Sequence, residues 1–397
     1  MNSKIKNFIY LLFFVVVLGH VYSVSQSFVD IPYRDSWQII QDNLGQIFPV
    51  GWFLAPHNEH IIFFTKLQVW LLFHLNSWNV VTHLWLNLAI YFAAIFAFYR
   101  LFQGYGVYFV FSLIFLFSNL NWENLSWEFQ SCFHFFVLFL ILTVSSITKN
   151  KFYLASFLNL LMLLSFSAAV GASLALLLLL LFKKNIPKMV YVLFISPCLL
   201  YLLNPSSSSL VLPYRIEFWD FFLNLVSFGY GFETYSWFLG LNCLFLILVP
   251  FAINLKNGTI SASHFLSLAL LASLAIIAVG RAGNEDIHIW SKGARYFEIS
   301  SILVPCALVQ WLDVLSLLRA SEKRTLAYVG FFLLVPLVGS LDNWNYSIYK
   351  WIGEQKVIGR NCMRESRPGE VYCRTLWNGE SSKQLSLAKR LELSFIK

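Results

Sequence analysis

The sequence predicts an all-α membrane protein, a polytopic transmembrane helical bundle of about eleven spans, with interfacial helices in its first outer loop and a small polar tail. Three observations predict it. The 397-residue chain is 58% hydrophobic and only 12% charged, against about 25% charged in soluble domains. Apolar runs suited to a ~30 Å hydrocarbon core recur along the chain. The polar loops between them fall into two classes, and one class gathers nearly every Asp, Glu and His.

Lys4 and Lys6 precede the apolar run Phe8 to Val24. Ser23-Val24-Ser25 is a passable cleavage site for a signal peptide, but the many spans that follow favour an uncleaved first helix. The lysines hold its N-terminus inside, so residues 25–60 face outward. The next run, Ile61 to Leu75, is interrupted by Thr65, Lys66, Gln68 and His74. It is too polar for a span and reads as a helix lying at the outer interface. The chain crosses back through Asn79 to Tyr99, ending at Arg100. Further spans are expected at 105–119, 131–147, 152–164, 172–182, 189–203, 237–254, 262–280, 298–318 and 325–340. The pair 152–164 and 172–182 is short, so it is either two tilted spans or one broken element around Ser165-Phe166-Ser167-Ala168-Ala169. Residues 1–340 make the membrane domain, with its first outer loop at 25–78, and residues 341–397 make an outward-facing tail.

Charge supports this orientation. The inner ends carry Lys4, Lys6, Arg100, Lys149, Lys151, Lys183, Lys184, Lys188, Lys256, Arg319, Lys323 and Arg324. The outer loops before the tail carry only Arg34, Lys66, Arg215, Arg281, Lys292 and Arg295, as the positive-inside rule requires. The net charge of +8 does not indicate nucleic acid, because no Arg/Lys stripe or binding motif is present. Cys132, Cys198, Cys243 and Cys306 lie in apolar segments and read as small core residues. Cys362 and Cys373 can pair if the tail faces an oxidising compartment, closing a loop worth about 3 kcal/mol. The tail holds no histidine, so a zinc site is not expected.

Charge near a bilayer is costly and usually marks a site. The first outer loop reads Asp30-Ile-Pro-Tyr-Arg34-Asp35-Ser36-Trp37. Ser36 can cap a short helix over 37–45, leaving Asp35 at its mouth as a functional carboxylate or a plain dipole partner. Asp30 carries the same alternatives. Tyr33, Trp37 and Trp52 suit either sugar stacking or an interfacial belt. His57-Asn58-Glu59-His60 is not the H-E-x-x-H zinc pattern. It reads as a polar wall that orients a hydroxyl-rich substrate or Asp35, or as an ordinary wet loop.

The second outer loop brings Glu123, Trp127 and Glu128 together with Asn121, Asn124 and Gln130. A flat ring with amides and carboxylates at its rim suits carbohydrate recognition. In the third, Asp220, Asn224 and Ser227 mark one polar helix face. In the fourth, Arg281, Lys292, Arg295 and Tyr296 occur together with flexible glycines. Guanidinium at span ends suits bidentate phosphate binding or simple snorkelling. His74, His83 and His134 read as belt residues. There is no Walker loop, G-x-S-x-G elbow, kinase motif or inverted repeat. Within the spans Asp313 is the exception to a near absence of charge, which argues against an ion-coupled carrier.

In these features the chain resembles the GT-C superfamily of membrane glycosyltransferases, which use polyprenyl-phosphate sugars. The features are many spans, an acidic first outer loop before an interfacial helix, and an outward polar tail. Bacterial membrane proteins of this type share its landmarks: Asp35-Ser36-Trp37, His57 to His60, Glu123 to Gln130, Gly280 to Tyr296, and Cys362 with Cys373. In size and architecture it is similar to the phage-type serotype-converting glucosyltransferases of O-antigen in lipopolysaccharide. The resemblance implies inverting transfer from an undecaprenyl-phosphate sugar to a glycan or lipid acceptor. It places the chain in the bacterial inner (cytoplasmic) membrane, with its N-terminus cytoplasmic and its C-terminus periplasmic. Asp35 or Asp30 would be the general base, and Arg281 and Arg295 the phosphate partners. The remaining substrate-binding residues would be Arg34, His57, Glu59, His60, Glu123, Trp127, Glu128, Lys292 and Tyr296. The lipid-linked donor needs no other cofactor, and no metal is implied: the family's Asp-x-Asp or Glu-x-Asp is replaced here by Asp30-x4-Asp35, which leaves the base open. The competing readings are a transporter or flippase for a lipid-linked glycan, an O-antigen polymerase and an acyltransferase.

Overall fold

The computed structural model describes residues 3–58, 60–183, 185–202, 210–227, 236–283, 294–321, 324–325, 328, 345–365, 373 and 382–396. Among them the chain is helical without strands, and His57 and His60 form an isolated antiparallel bridge. The first helix, α1 (Ser3–Ser25), buries only His20 and Val24 and exposes Phe8, Leu11, Phe14, Leu18 and Tyr22. Such a surface suits lipid, because apolar contacts with lipid tails carry no solvation cost there.

The first loop then holds α2 (Ser36–Ile39) and α3 (Val50–Leu54) before α4 (Phe63–Asn76). The polar-interrupted run Ile61 to Leu75 is therefore helical, over Phe63–Asn76, but its polar side chains face inward. Thr65, Lys66 and Gln68 are buried, while Leu71 and Leu75 are exposed. The reason is tertiary: the Thr65 hydroxyl meets Ser131 Oγ at 2.7 Å, and Gln68 Nε2 donates to Asn87 at 3.3 Å. Lys66 Nζ donates to the Trp52 and Ala55 carbonyls at 2.8 and 2.7 Å, satisfying the end of α3.

Left-handed Ser77 and Trp78 (φ 56° and 51°) turn the chain into α5 (Val80–Phe102). Asn79 caps that helix by accepting the Thr82 N–H at 2.9 Å. At the far end Gly106, with φ 59°, opens the return into α6 (Gly106–Leu113). The hairpin is antiparallel, since Phe102 packs on Phe109 near the turn and the Tyr91 hydroxyl reaches the Leu116 carbonyl further out. Short helix α7 (Trp122–Ser126) leads to α8 (Ser131–Thr148), α9 (Phe152–Leu163), α10 (Ala169–Leu180), α11 (Lys188–Ile195) and α12 (Leu199–Leu202). These are followed by α13 (Ile216–Val226), α14 (Ser236–Lys256), α15 (Ala262–Arg281), α16 (Phe297–Ser301), α17 (Leu303–Leu317), α18 (Ser347–Glu365) and α19 (Ser382–Arg390).

Small residues set the closest helix approach. A Cβ on Gly171 of α10 would lie 2.4 Å from the Ala272 carbonyl oxygen of α15, so only glycine fits. Amides join α14, α15 and α17: Gln310 Nε2 donates to Ser267 at 2.9 Å and its carbonyl accepts from Asn254 at 3.3 Å.

Among the described residues, five segments could cross a membrane by length and composition: Ser3–Ser25, Val80–Ser126, Glu128–Thr148, Ala262–Arg281 and Ala294–Leu317. The apolar helices Phe152–Leu163, Ala169–Leu180, Lys188–Cys198 and Gly240–Lys256 are shorter. A 12-residue helix such as α9 or α10 rises about 18 Å, well short of ~30 Å. The expected span 325–340 lies outside the described residues apart from Thr325 and Tyr328.

Candidate active site

The site is built around one strained turn in the first outer loop. Arg34 has φ 49°, a left-handed conformation that costs a residue with a Cβ about 1–2 kcal/mol. Its surroundings hold it there. The Tyr33 N–H donates to Glu128 Oε1 at 2.9 Å, and Arg34 Nη1 donates to Glu123 Oε1 at 3.0 Å. The guanidinium also lies 5.1 Å from the Tyr33 ring centre and 5.6 Å from that of Trp127, within cation–π range. Trp127 Nε1 donates to Ser36 Oγ at 3.1 Å.

The next residue, Asp35, is half-buried. Its carboxylate caps no helix and makes no hydrogen bond with any described residue. It is close enough to His57 and Arg295 for their charges to interact. The expected cap by Ser36 is not formed: helix α2 begins at Ser36 itself, and that hydroxyl accepts the Trp127 N–H instead.

Glu123 joins the first loop to the fourth. Its side chain is buried, and Arg295 Nη1 lies 3.7 Å from the same Oε1 that Arg34 holds. The Arg295 backbone N–H donates to Oε2 at 3.2 Å. Asn124 Nδ2 donates to the Arg295 carbonyl at 2.8 Å and to Glu298 Oε2 at 2.7 Å. Glu298 Oε1 in turn meets His134 Nδ1 at 2.7 Å, with both side chains buried. Tyr296 is buried, its ring against Phe133 and beneath the Arg295 guanidinium.

His57 and His60, joined by their backbone bridge, complete the cluster. The His57 ring packs 4.8 Å from Phe129, and burial lowers its pKa more than Asp35 raises it. His60 Nε2 meets Arg281 Nη2 at 3.3 Å. Arginine only donates, so this nitrogen accepts and the proton sits on Nδ1, donating to Ser167 Oγ. Burial, then the charges of Arg295 and His57, push the His60 pKa down to about 3, so the ring is neutral. Glu59 and Lys292 lie outside the described residues.

Asp30 is occupied elsewhere. Its Oδ1 accepts the Val80 N–H at 2.8 Å at the start of α5, and its Oδ2 accepts from Asn79 Nδ2 at 3.2 Å. Ser394 Oγ adds contacts at 2.9 and 3.1 Å, tying the chain's last described turn to the first loop. Cys362 and Cys373 are joined by a disulfide with Cα atoms 6.0 Å apart.

Three expectations need correction. The second outer loop was expected to present its rings and amides to a sugar, yet every residue from Ser112 to His134 is buried. Glu123, Trp127 and Glu128 spend their hydrogen bonds on Arg34, Ser36 and Tyr33 instead. The near absence of charge within spans also fails, because Glu298 is buried at the start of α16. His83 and His134 are not belt residues: both are fully buried, His83 accepting from Trp78 Nε1 at 3.2 Å and His134 paired with Glu298.

Lys356 was not anticipated. It comes from the tail helix α18, is fully buried, and donates from Nζ to the Ser126 carbonyl at 2.6 Å. Its Nζ stands 5.6 Å from the Tyr33 ring centre. Burial pulls its pKa down to about 8, partly opposed by Glu128. The one sequence signal was its place in an amphipathic tail segment.

Together these side chains form a charged cluster in which Asp35 makes no hydrogen bond with the described residues and several guanidinium groups stand near the carboxylates. That arrangement can take a proton from a hydroxyl and offset charge on a departing phosphate. Among the described residues no three His, Cys, Asp or Glu side chains are grouped to hold a metal ion. No family model, curated protein or solved structure matches the chain.

Proposed function

We propose that the chain is an inverting glycosyltransferase that moves a sugar, most simply a hexose, from undecaprenyl phosphate to a surface polysaccharide or envelope lipid. The reaction takes place on the periplasmic face of the bacterial inner membrane. The observation that carries the reading is the contrast among the acids. Asp30, Glu123, Glu128 and Glu298 each accept hydrogen bonds that hold the fold. Asp35 accepts none from the described residues, is partly exposed, and sits near Arg295 and His57. A general base must have a free lone pair facing solvent or substrate, and among the described acids of this cluster Asp35 combines free oxygens with partial exposure.

In this reading Asp35 takes the proton from an acceptor hydroxyl. The acceptor oxygen attacks the anomeric carbon from the face opposite the phosphate, and the bond from that carbon to the phosphate oxygen breaks. The lipid phosphate leaves with its charge offset by Arg281 and Arg295. His60, neutral and accepting from Arg281, holds that guanidinium without competing for protons. A topology of about eleven crossings, N-terminus cytoplasmic and C-terminus periplasmic, rests on the inner-loop lysines and the positive-inside rule.

The test is mass spectrometry of the surface glycan from cells with the gene, without it, and with Asp35→Asn at matched expression. A hexose-sized increment present only with the wild type is the expected outcome. An unchanged glycan in all three sinks the transferase reading and favours a transporter or flippase.

A further inference from the structure

Tail helix α18 (Ser347–Glu365) presses closely on the first loop. A Cβ on Gly353 would lie 2.2 Å from the Gln26 carbonyl oxygen, an approach that only glycine permits. Lys356 follows on the same helix, and its ammonium is carried to full burial. A lysine serving only to dock the tail could pair at the surface. This one donates to the Ser126 carbonyl at 2.6 Å, directly ahead of Trp127 and Glu128, and lies over the Tyr33 ring. Its charge interacts with that of Glu128, and Glu128 Oε1 accepts the Tyr33 N–H at 2.9 Å. Arg34, left-handed at φ 49°, is the next residue, and Asp35 follows it.

We infer that Lys356 is a positioning residue of the site: from the tail it braces Glu128 and Tyr33, and so holds the Arg34 turn that aims Asp35. Burial pushes the Glu128 carboxyl up, and the Lys356 charge opposes that shift. The ammonium over the Tyr33 ring therefore also helps Glu128 keep the charge that makes it a strong acceptor for the Tyr33 N–H. Removing the cation weakens the hold on the Tyr33 N–H, and the strained turn relaxes. The inference rests on the reading of Asp35 as the base, but its geometry can be tested without any sugar substrate.

The experiment uses the full chain in membranes, with Asp35→Cys labelled by a membrane-impermeant maleimide. A second cysteine placed by Asp42→Cys, in an exposed part of the same loop, serves as the control. Lys356→Met is expected to speed labelling at position 35 by about fivefold, the scale of a coupled contact, and to leave position 42 unchanged. Lys356→Arg is expected to restore the wild-type rate. Glu128→Gln should speed labelling by the same factor as Lys356→Met, and the double substitution should add nothing further. Unchanged labelling in Lys356→Met, or factors that multiply in the double variant, overturns the inference. Equal acceleration at position 42 also overturns it, since the tail would then only stabilise the loop as a whole. If Lys356→Met fails to accumulate, Glu128→Gln carries the test with Lys356 in place, and an unaltered rate there is equally decisive. The glycan-mass experiment reports on the transferase reading separately: accelerated labelling with an unchanged glycan removes that reading and keeps the positioning role of Lys356.

Discussion

Arg34 and Arg295, on loops far apart in sequence, share one carboxylate: both guanidinium groups approach Glu123 Oε1, at 3.0 and 3.7 Å. Glu123 is the joint between the loop that presents Asp35 and the helix start that presents Arg295. Glu123→Ala should cost about 1.5–3 kcal/mol, because it removes the charged acceptor shared by two arginines that stay partly exposed to solvent. Glu123→Gln keeps one acceptor oxygen and should cost less. Thermal unfolding of the detergent-solubilised variants measures the difference, and equal melting temperatures for wild type and Glu123→Ala would rule out the joint.

Asp35 and Asp30 should separate cleanly. Asp35→Asn removes no hydrogen bond seen in the fold, so its stability should change by no more than about 0.5 kcal/mol. Its transfer rate should fall about 10²–10⁴-fold, the range for loss of a general base. Asp30→Asn should do the reverse, losing about 1 kcal/mol because the donors of Val80, Asn79 and Ser394 lose a charged acceptor, while transfer persists. A transfer assay alongside thermal unfolding checks both, and loss of transfer in Asp30→Asn with full activity in Asp35→Asn would exchange their roles.

His60 sets an acid limit on stability. Its pKa is about 3 in the folded chain and about 6.5 when unfolded, so the unfolded state binds more protons between these values. Stability from His60 is therefore fully present above about pH 6.5 and drains away as pH falls toward 3. The melting temperature should drop by about 2 °C between pH 7 and pH 5, and His60→Gln should flatten that slope. A slope unchanged by the substitution means other groups carry it.

The tail cysteines report topology. After reduction of intact cells, a membrane-impermeant thiol reagent should label Cys362 and Cys373, the pair joined by the disulfide. Cys132 and Cys306, fully buried, should stay unlabelled under the same conditions. Labelling of the tail only in inside-out vesicles reverses the proposed orientation.

Much of the site was legible as a set of candidates. Arg34, Asp35, His57, His60, Arg281 and Arg295 stand out because ionisable groups at span ends are expensive, and the fold gathers them into one charged cluster. What could not be read was which of them face outward. Glu123 and Glu128 look as polar as Asp35 in the sequence, yet they are buried because Arg34, the Tyr33 N–H and Lys356 supply partners that lie distant along the chain. The inward polar face of α4 went unread for the same reason: its hydrophobic period shows that two faces exist, but not which one meets Ser131 and Asn87.

By itself the sequence determined that the chain is helical and apolar enough for a membrane, and where its polar connections fall. Those properties depend on local composition, because a backbone in hydrocarbon must satisfy its own hydrogen bonds as helix. Only the tertiary structure decided the rest. It spent Asp30 on capping α5, left Asp35 uncommitted, bound Glu123 to two arginines, and drove Lys356 from the tail into the turn that bears Asp35. The work a carboxylate does is set by which donors reach it, and here those donors arrive from other loops and helices.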